Sequence, residues 1–176
     1  RLDQTEAVVR NQHVTPHGVP CLWPSFDRYS RGDGQSYGRH SGTIWPHVQG
    51  FWADAAARAG HPRTLGHELF ALAGHAVRDG QFAEIYHPQD GRIYGGLQET
   101  APDGAIAEWD SCRRQSWSAT AYVRMVLQGL CGLRLEPSGI RLEPAIPAPL
   151  NHVHVSGLHY RNAELEITIR GTGCRS

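Results

Sequence analysis

Apolar positions along this chain follow two different periods, and the change comes near Leu133. Between Ile44 and Ala59, Val48, Phe51, Trp52, Ala55, Ala56 and Ala59 recur at i, i+3 and i+4, which predicts an amphipathic helix. Pro46 suits its first turn, and Gly60 with Pro62 closes it. A second helix is predicted over Arg63–Arg78, with Leu65, Leu69, Leu72, Ala73 and Ala76 on one face and Gly80 as its stop. So short a connection makes the two an antiparallel αα-hairpin. Ser116–Leu130 predicts a third helix, with Trp117, Ala121, Val123, Val126, Leu127 and Leu130 as apolar positions and Gly129 and Gly132 near its end.

Beyond Leu133 the period becomes two. Ile140 and Leu142, then Val153, Val155 and Leu158, then Leu165, Ile167 and Ile169 alternate with polar residues, the pattern of half-buried strands. Asn162 offers the last turn. Helices first and strands after predict an α+β arrangement. Two stretches lack either period. Thr15–Ser41 is dense in Gly, Pro and Ser and predicts a long loop, which Trp23, Phe26, Tyr29 and Tyr37 argue is ordered. Phe82–Glu99 holds turn chemistry, Pro88–Gly91, between two short runs. Arg1–Asn11 reads as a helix remnant or an ordered lead-in.

Composition narrows the picture. Of 176 residues, 40% are hydrophobic and 19% charged, so the chain has the means to fold around a core. A formal net charge of +0 removes the electrostatic reason to expect nucleic acid or an anionic membrane as partner. No apolar run approaches the ~20 residues of a membrane span. The four cysteines form no CxxC pair, which argues against a zinc ribbon or redox motif; buried free thiols are expected, with two disulfides as the alternative. The chain opens on Arg1 and its one Met is Met125, which leads us to expect a missing N-terminal region.

Candidate chemistry sits at helix ends. Phe82–Gly91 (FAEIYHPQDG) places one carboxylate, Glu84, in an aromatic setting just after a helix. Tyr37–Pro46 (YGRHSGTIWP) and Arg113–Tyr122 (RRQSWSATAY) each open a helix with polar and aromatic residues. Aromatic faces that stack on sugars, with Arg, Gln and carboxylates for the hydroxyls, are what a carbohydrate site requires.

These stretches resemble motifs of the six-hairpin glycosidases, most closely the processing α-glucosidases and bacterial mannosylglycerate hydrolases. That family carries F-x-E-N-Y-x-P-x-T-G, where this chain has Ile85 for Asn and Asp90 for Thr. Its Y-x-R-G-P-I-W is similar to Tyr37–Trp45 with His40-Ser41 as an insertion, and its W-S-A matches Trp117-Ser118-Ala119. The closing LEPSGIRLEPAIP is similar to the β cap of related toroid glycosidases and phosphorylases. The resemblance implies a mainly α fold with a C-terminal β unit: residues 1–132 as the C-terminal part of an (α/α)6 toroid, and 133–176 as a small antiparallel β-sandwich cap. It implies an inverting glycoside hydrolase acting on an α-linked sugar, with Glu84 as general base. A second carboxyl group would lie ~6.5–9.5 Å away to admit the attacking water. That acid is expected upstream of Arg1, with Asp27, Asp33 and Asp110 as local candidates outside any matching motif. Tyr37, Arg39 and Trp45 would line the sugar site, with Tyr86 and Trp117 as further walls; Gln115 could bind a hydroxyl by its position. The expected partners are the carbohydrate substrate and the missing N-terminal part of the same protein. No cofactor or metal is implied, and residues 1–176 alone are expected to show little turnover.

Competing readings remain beside this one. Arg39, Arg113 and Arg114 could hold phosphate in a toroid phosphorylase, or the chain could bind carbohydrate without chemistry. Arg39 could simply pair with a nearby carboxylate, and Trp45, Trp52 and Trp117 could be core. His67-Glu68 begins like HExxH, but Ala71 stands at the fifth position. His152 and His154 share a strand face, and Gly32–Gln35 is a turn rather than a phosphate loop.

Overall fold

The computed structural model describes Gln4, Ala7 and residues 15–174. The lead-in predicted over Arg1–Asn11 therefore lies outside the described residues, apart from Gln4 and Ala7, which are helical. Helix α1 spans Pro46–Arg58 and α2 spans Pro62–Asp79, each with proline in its first turn, where the missing N–H breaks no hydrogen bond. Gly80 caps α2 in the left-handed conformation at φ 65°, and its N–H donates to Ala76 O. Helix α3 spans Ser116–Arg124 and continues as a π-helical turn over Met125–Leu130.

The helices approach closely because glycines stand at their contacts. A Cβ on Gly50 of α1 would lie 3.0 Å from the Ala121 Cβ of α3, and one on Gly129 would lie 2.8 Å from Leu65 Cδ1 of α2. Leu65, Leu69, Leu72, Met125 and Leu130 form the center of the core, joined by Ile44 and Tyr86 from the connecting segments. Phe51, on the predicted apolar stripe of α1, is 58% exposed; it faces outward beside α3.

Every strand pair is an antiparallel two-stranded ladder: β1 (Leu97–Glu99) with β2 (Ile106–Glu108), β3 (Leu133–Glu136) with β4 (Gly139–Leu142), β5 (Ala145–Ile146) with β8 (Gly173–Cys174), and β6 (His152–Tyr160) with β7 (Ala163–Arg170). Ala145 and Ile146 are buried in the same core as the helices, and Val153 and Ile169 pack against it. The strands after Leu133 thus complete the helical core.

This architecture corrects the expected fold. Among the described residues there are three α-helices and four two-stranded sheets, neither part of an (α/α)6 toroid nor a β-sandwich cap. One αα-hairpin forms, α1 with α2, and no second one follows. Where a toroid would continue with helices, residues 82–115 are loops and a short hairpin, held extended by backbone bonds to residues on either side. A sandwich needs two multi-stranded sheets packed face to face; here each ladder ends after one pairing.

Asp54 of α1, buried, ties three elements together. Its carboxylate meets Arg58 at 3.0 Å, Arg124 of α3 at 3.4 Å and Arg134 of β3 at 3.5 Å. The four cysteines are free: Cys131 is buried, Cys21 partly so, and Cys112 and Cys174 are exposed.

Candidate functional site

Three irregular segments carry the site, and backbone hydrogen bonds knit them side by side. Residues 82–97 run in the middle. Ile44 and Tyr86 exchange both N–H···O bonds, at 3.0 and 2.9 Å, and Tyr37 and Arg39 bracket Leu97 at 2.8 Å each. On the other side Glu84 N–H donates to Cys112 O at 2.8 Å, Trp109 N–H to Gly96 O at 2.9 Å, and Gln115 N–H to Phe82 O at 2.8 Å. Ser111 Oγ adds a clip, accepting from Ile85 N–H at 2.9 Å and donating to Ile85 O at 3.1 Å.

Gly95 and Gly96 permit this close seam. A Cβ on Gly95 would fall 1.5 Å from Trp109 O, and one on Gly96 would fall 2.5 Å from Arg39 Cα. Gly96 also sits at φ 77°, a conformation that side chains rarely adopt. The pair brings the Arg39 turn and the Trp109–Cys112 segment together around Glu84.

Glu84 is 8% exposed. Its Oε2 accepts from Arg39 Nη2 at 3.0 Å and from Cys112 N–H at 3.2 Å. Its Oε1 has no hydrogen-bond partner among the described residues. One oxygen is pinned and the other is unpartnered among the described residues. Arg39 is fixed in turn, with Nη1 donating to Gly95 O at 3.1 Å and the guanidinium 5.5 Å from the Trp45 ring and 5.8 Å from that of Trp109. Trp45 Nε1–H donates to Arg39 O at 2.6 Å, and Thr43 Oγ1–H to the same carbonyl.

From this pair an aromatic row runs outward. His40 stacks on Trp45 at 4.5 Å, and Trp117 lies 6.4 Å from Trp45 and 5.7 Å from His47. Burial first, and then the Arg39 charge, push the His40 imidazole below its usual range, while Glu84 pulls the other way. Trp117 is 43% and Trp109 47% exposed, each on the wall of an open cleft. The Trp117 cleft, of about 340 Å³, is shared with His47, Phe51 and Arg124; the Trp109 cleft, of about 370 Å³, with Gly95, Asp110 and Arg113. A third cleft of about 360 Å³, lined by Phe26, Arg28, Arg39 and His40, opens on the remaining side.

The structure thus gathers Glu84, Arg39, Trp45 and Trp117. Tyr86 lies elsewhere: it is fully buried, its ring stacked 4.5 Å from His75, and its hydroxyl accepts from Ala83 N–H. Tyr37 is buried too, with its hydroxyl accepting from Gln89 Nε2 at 2.7 Å and its ring edge-on to His87. Gln115, half-buried, stands at the N-cap position of α3 without a side-chain capping bond. Of the local acids, Asp33 holds its own turn through Gln35 and Ser36, Asp27 sits in a 3-10 turn, and Asp110 is exposed beside Trp109. Arg113 and Arg114 are exposed, and Arg39 is committed to Glu84 and Gly95. Sequence reasoning missed Trp109, the Cys112 N–H and the glycine pair. The one available signal was the tryptophan itself, in a polar stretch with no helical stripe to bury it.

No protein-family model, curated protein or solved structure matches the chain. Among the described residues no group of His, Cys, Asp and Glu is arranged to hold a metal ion, and no helix is long and apolar enough to cross a membrane.

Proposed function

We propose that the chain acts on carbohydrate, with Glu84 as the carboxylate that activates water for inverting hydrolysis of an α-linked sugar. The supporting observation is the asymmetry of its carboxylate. Oε2 is held by a guanidinium and a backbone N–H, while Oε1 has no hydrogen-bond partner among the described residues, and the guanidinium that holds Oε2 lies against Trp45 and Trp109. A base must be oriented yet keep one lone pair free for the proton it removes. Trp109 and Trp117 supply exposed apolar faces for sugar rings, and Arg39 fixes the carboxylate's plane.

The test is turnover of α-linked gluco- and manno-disaccharides by the purified full-length protein, with the product anomer read by NMR. Glu84→Gln should lower turnover by roughly 10²–10⁴-fold with binding retained. Unchanged turnover would remove Glu84 from the mechanism. Binding without chemistry is the second reading. It is favoured by the engagement of Oε2 with Arg39, which ties the carboxylate into an ion pair. Quenching of tryptophan fluorescence by sugar, with no turnover in the wild type, would establish that reading instead. The phosphorylase alternative draws less support, because Arg39 is already spoken for.

A further inference from the structure

Away from Glu84 and Arg39, the segment Thr15–Leu22 is fastened to α2 by three titratable side chains of that helix. Val19 N–H donates to Glu68 Oε2 at 3.1 Å, His67 Nε2–H donates to Thr15 O at 2.8 Å, and the longer contact from His75 Nε2 to His17 O is 3.4 Å. Glu68 is 0% exposed, and no ion pair reaches it among the described residues. Facing it from α1 are the neutral side chains Gln49 and Trp52. Gln49 Nε2 donates to the Glu68 backbone carbonyl at 3.3 Å. Glu68 Oε1, Gln49 Oε1 and Trp52 Nε1 are all buried without a partner. Gly18 closes the lid: a Cβ there would fall 2.4 Å from Gln49 Nε2 and 3.0 Å from Glu68 Oε2. An ionised carboxylate in such a place has lost water, and the Val19 N–H with the nearby Gln49 and Trp52 donors only partly offsets that loss.

The far end of the fastened segment is hydrogen-bonded alongside the Arg39 turn. Cys21 N–H donates to Thr43 O at 2.8 Å and Gly42 N–H to Leu22 O at 2.9 Å, and Thr43 Oγ1–H bonds the Arg39 carbonyl. We propose that Glu68 is a protonation-controlled latch: as the neutral acid it holds Thr15–Leu22 on α2 and so fixes the Arg39 turn, and as the carboxylate it lets both loosen. Burial moves its pKa up from 4.5 to about 7, in keeping with the geometry. The other titratable neighbours are His67 and His75 on α2 and His17 and Cys21 on the segment. Burial depresses the His75 imidazole to about 4 and raises the Cys21 thiol, so both stay neutral while Glu68 titrates.

This inference goes beyond the carbohydrate reading and is tested without any sugar. Amide hydrogen exchange at Val19, Cys21 and Gly42, corrected for the intrinsic pH dependence, is followed in the wild type and in Glu68→Gln, which mimics the neutral acid. Opening that hydrates Glu68 should grow about tenfold per pH unit between about pH 5 and 7, then level off. Glu68→Gln, which keeps His17, His67 and His75, should abolish the growth of opening with rising pH at all three amides. Parallel behaviour of the two proteins, or a Val19 response that Gly42 does not share, would overturn the proposal. Should Glu68→Gln fail to fold, the Glu68 carboxyl carbon shift in the wild type decides: a titration midpoint near about 7 supports the latch, and one near about 4.5 sinks it.

Discussion

Two residues of α2 set opposite pH dependences on stability. Glu68 has a folded pKa of about 7 against an ordinary 4.5, so its contribution is fully present below pH 4.5 and is lost as pH rises to about 7. The loss is on the order of 3 kcal/mol. His75, buried between His17 and Tyr86, has a folded pKa of about 4 against 6.5, so its contribution is present above 6.5 and is lost as pH falls toward 4. Between pH 4.5 and 6.5 the two slopes oppose each other. Urea midpoints should therefore change little across that window in the wild type. Glu68→Gln should leave a midpoint that climbs with pH from about 4 to 6.5, and His75→Phe one that falls from about 4.5 to 7. Identical profiles in all three proteins would remove both groups from the account.

At the scale of elements, the seam at Gly95-Gly96 decides whether the site exists. Gly96→Ala adds a methyl against the Arg39 backbone and forces alanine to φ 77°. It should cost about 2 kcal/mol or more in urea unfolding and expose Trp109 further. Stability within about 0.5 kcal/mol of wild type would show that the seam relaxes freely. This element marks the limit of what the sequence discloses. The helices were legible because burial on one side imposes a period, and residues such as Leu65, Leu69 and Leu72 repeat it. The hairpin of β6 and β7 was legible for the same reason, with its turn at Arg161-Asn162 as Asn162 suggested. The site segments have no period. Residues 82–97 are placed by backbone bonds to residues more than a dozen positions away, and by glycines chosen for what is absent. The same FAEIY stretch that pointed to Glu84 also pointed to Tyr86, because a motif does not say which of two neighbours faces the cleft.

The whole molecule is held by shared burial more than by its ladders. Leu72, fully buried at the helical center, should cost about 2–5 kcal/mol when cut to alanine. Asp54 joins α1, α3 and β3 through three arginines, and Arg134 on β3 is only 11% exposed. Asp54→Ala leaves that guanidinium without its nearest anion and should cost about 3 kcal/mol, read as a lower urea midpoint with an unchanged slope. A steeper loss of cooperativity would mean that the strands unfold apart from the helices. The toroid expectation failed at this scale because it came from motifs at helix ends. Such motifs describe the lip of a site, whereas an architecture depends on how many hairpins stand behind it.

The latch at Glu68 has a kinetic consequence. Bell-shaped pH–rate curves are ordinarily read as one limb for a base and one for an acid. If turnover requires the Arg39 turn to be ordered, loosening of that turn adds a descending limb with a midpoint at or below about 7, from a group that never touches substrate. Glu68→Gln should erase that limb and leave the ascending one, whereas loss of a true catalytic acid would lower the maximum as well. A two-limbed profile from this protein would therefore not count its catalytic carboxylates.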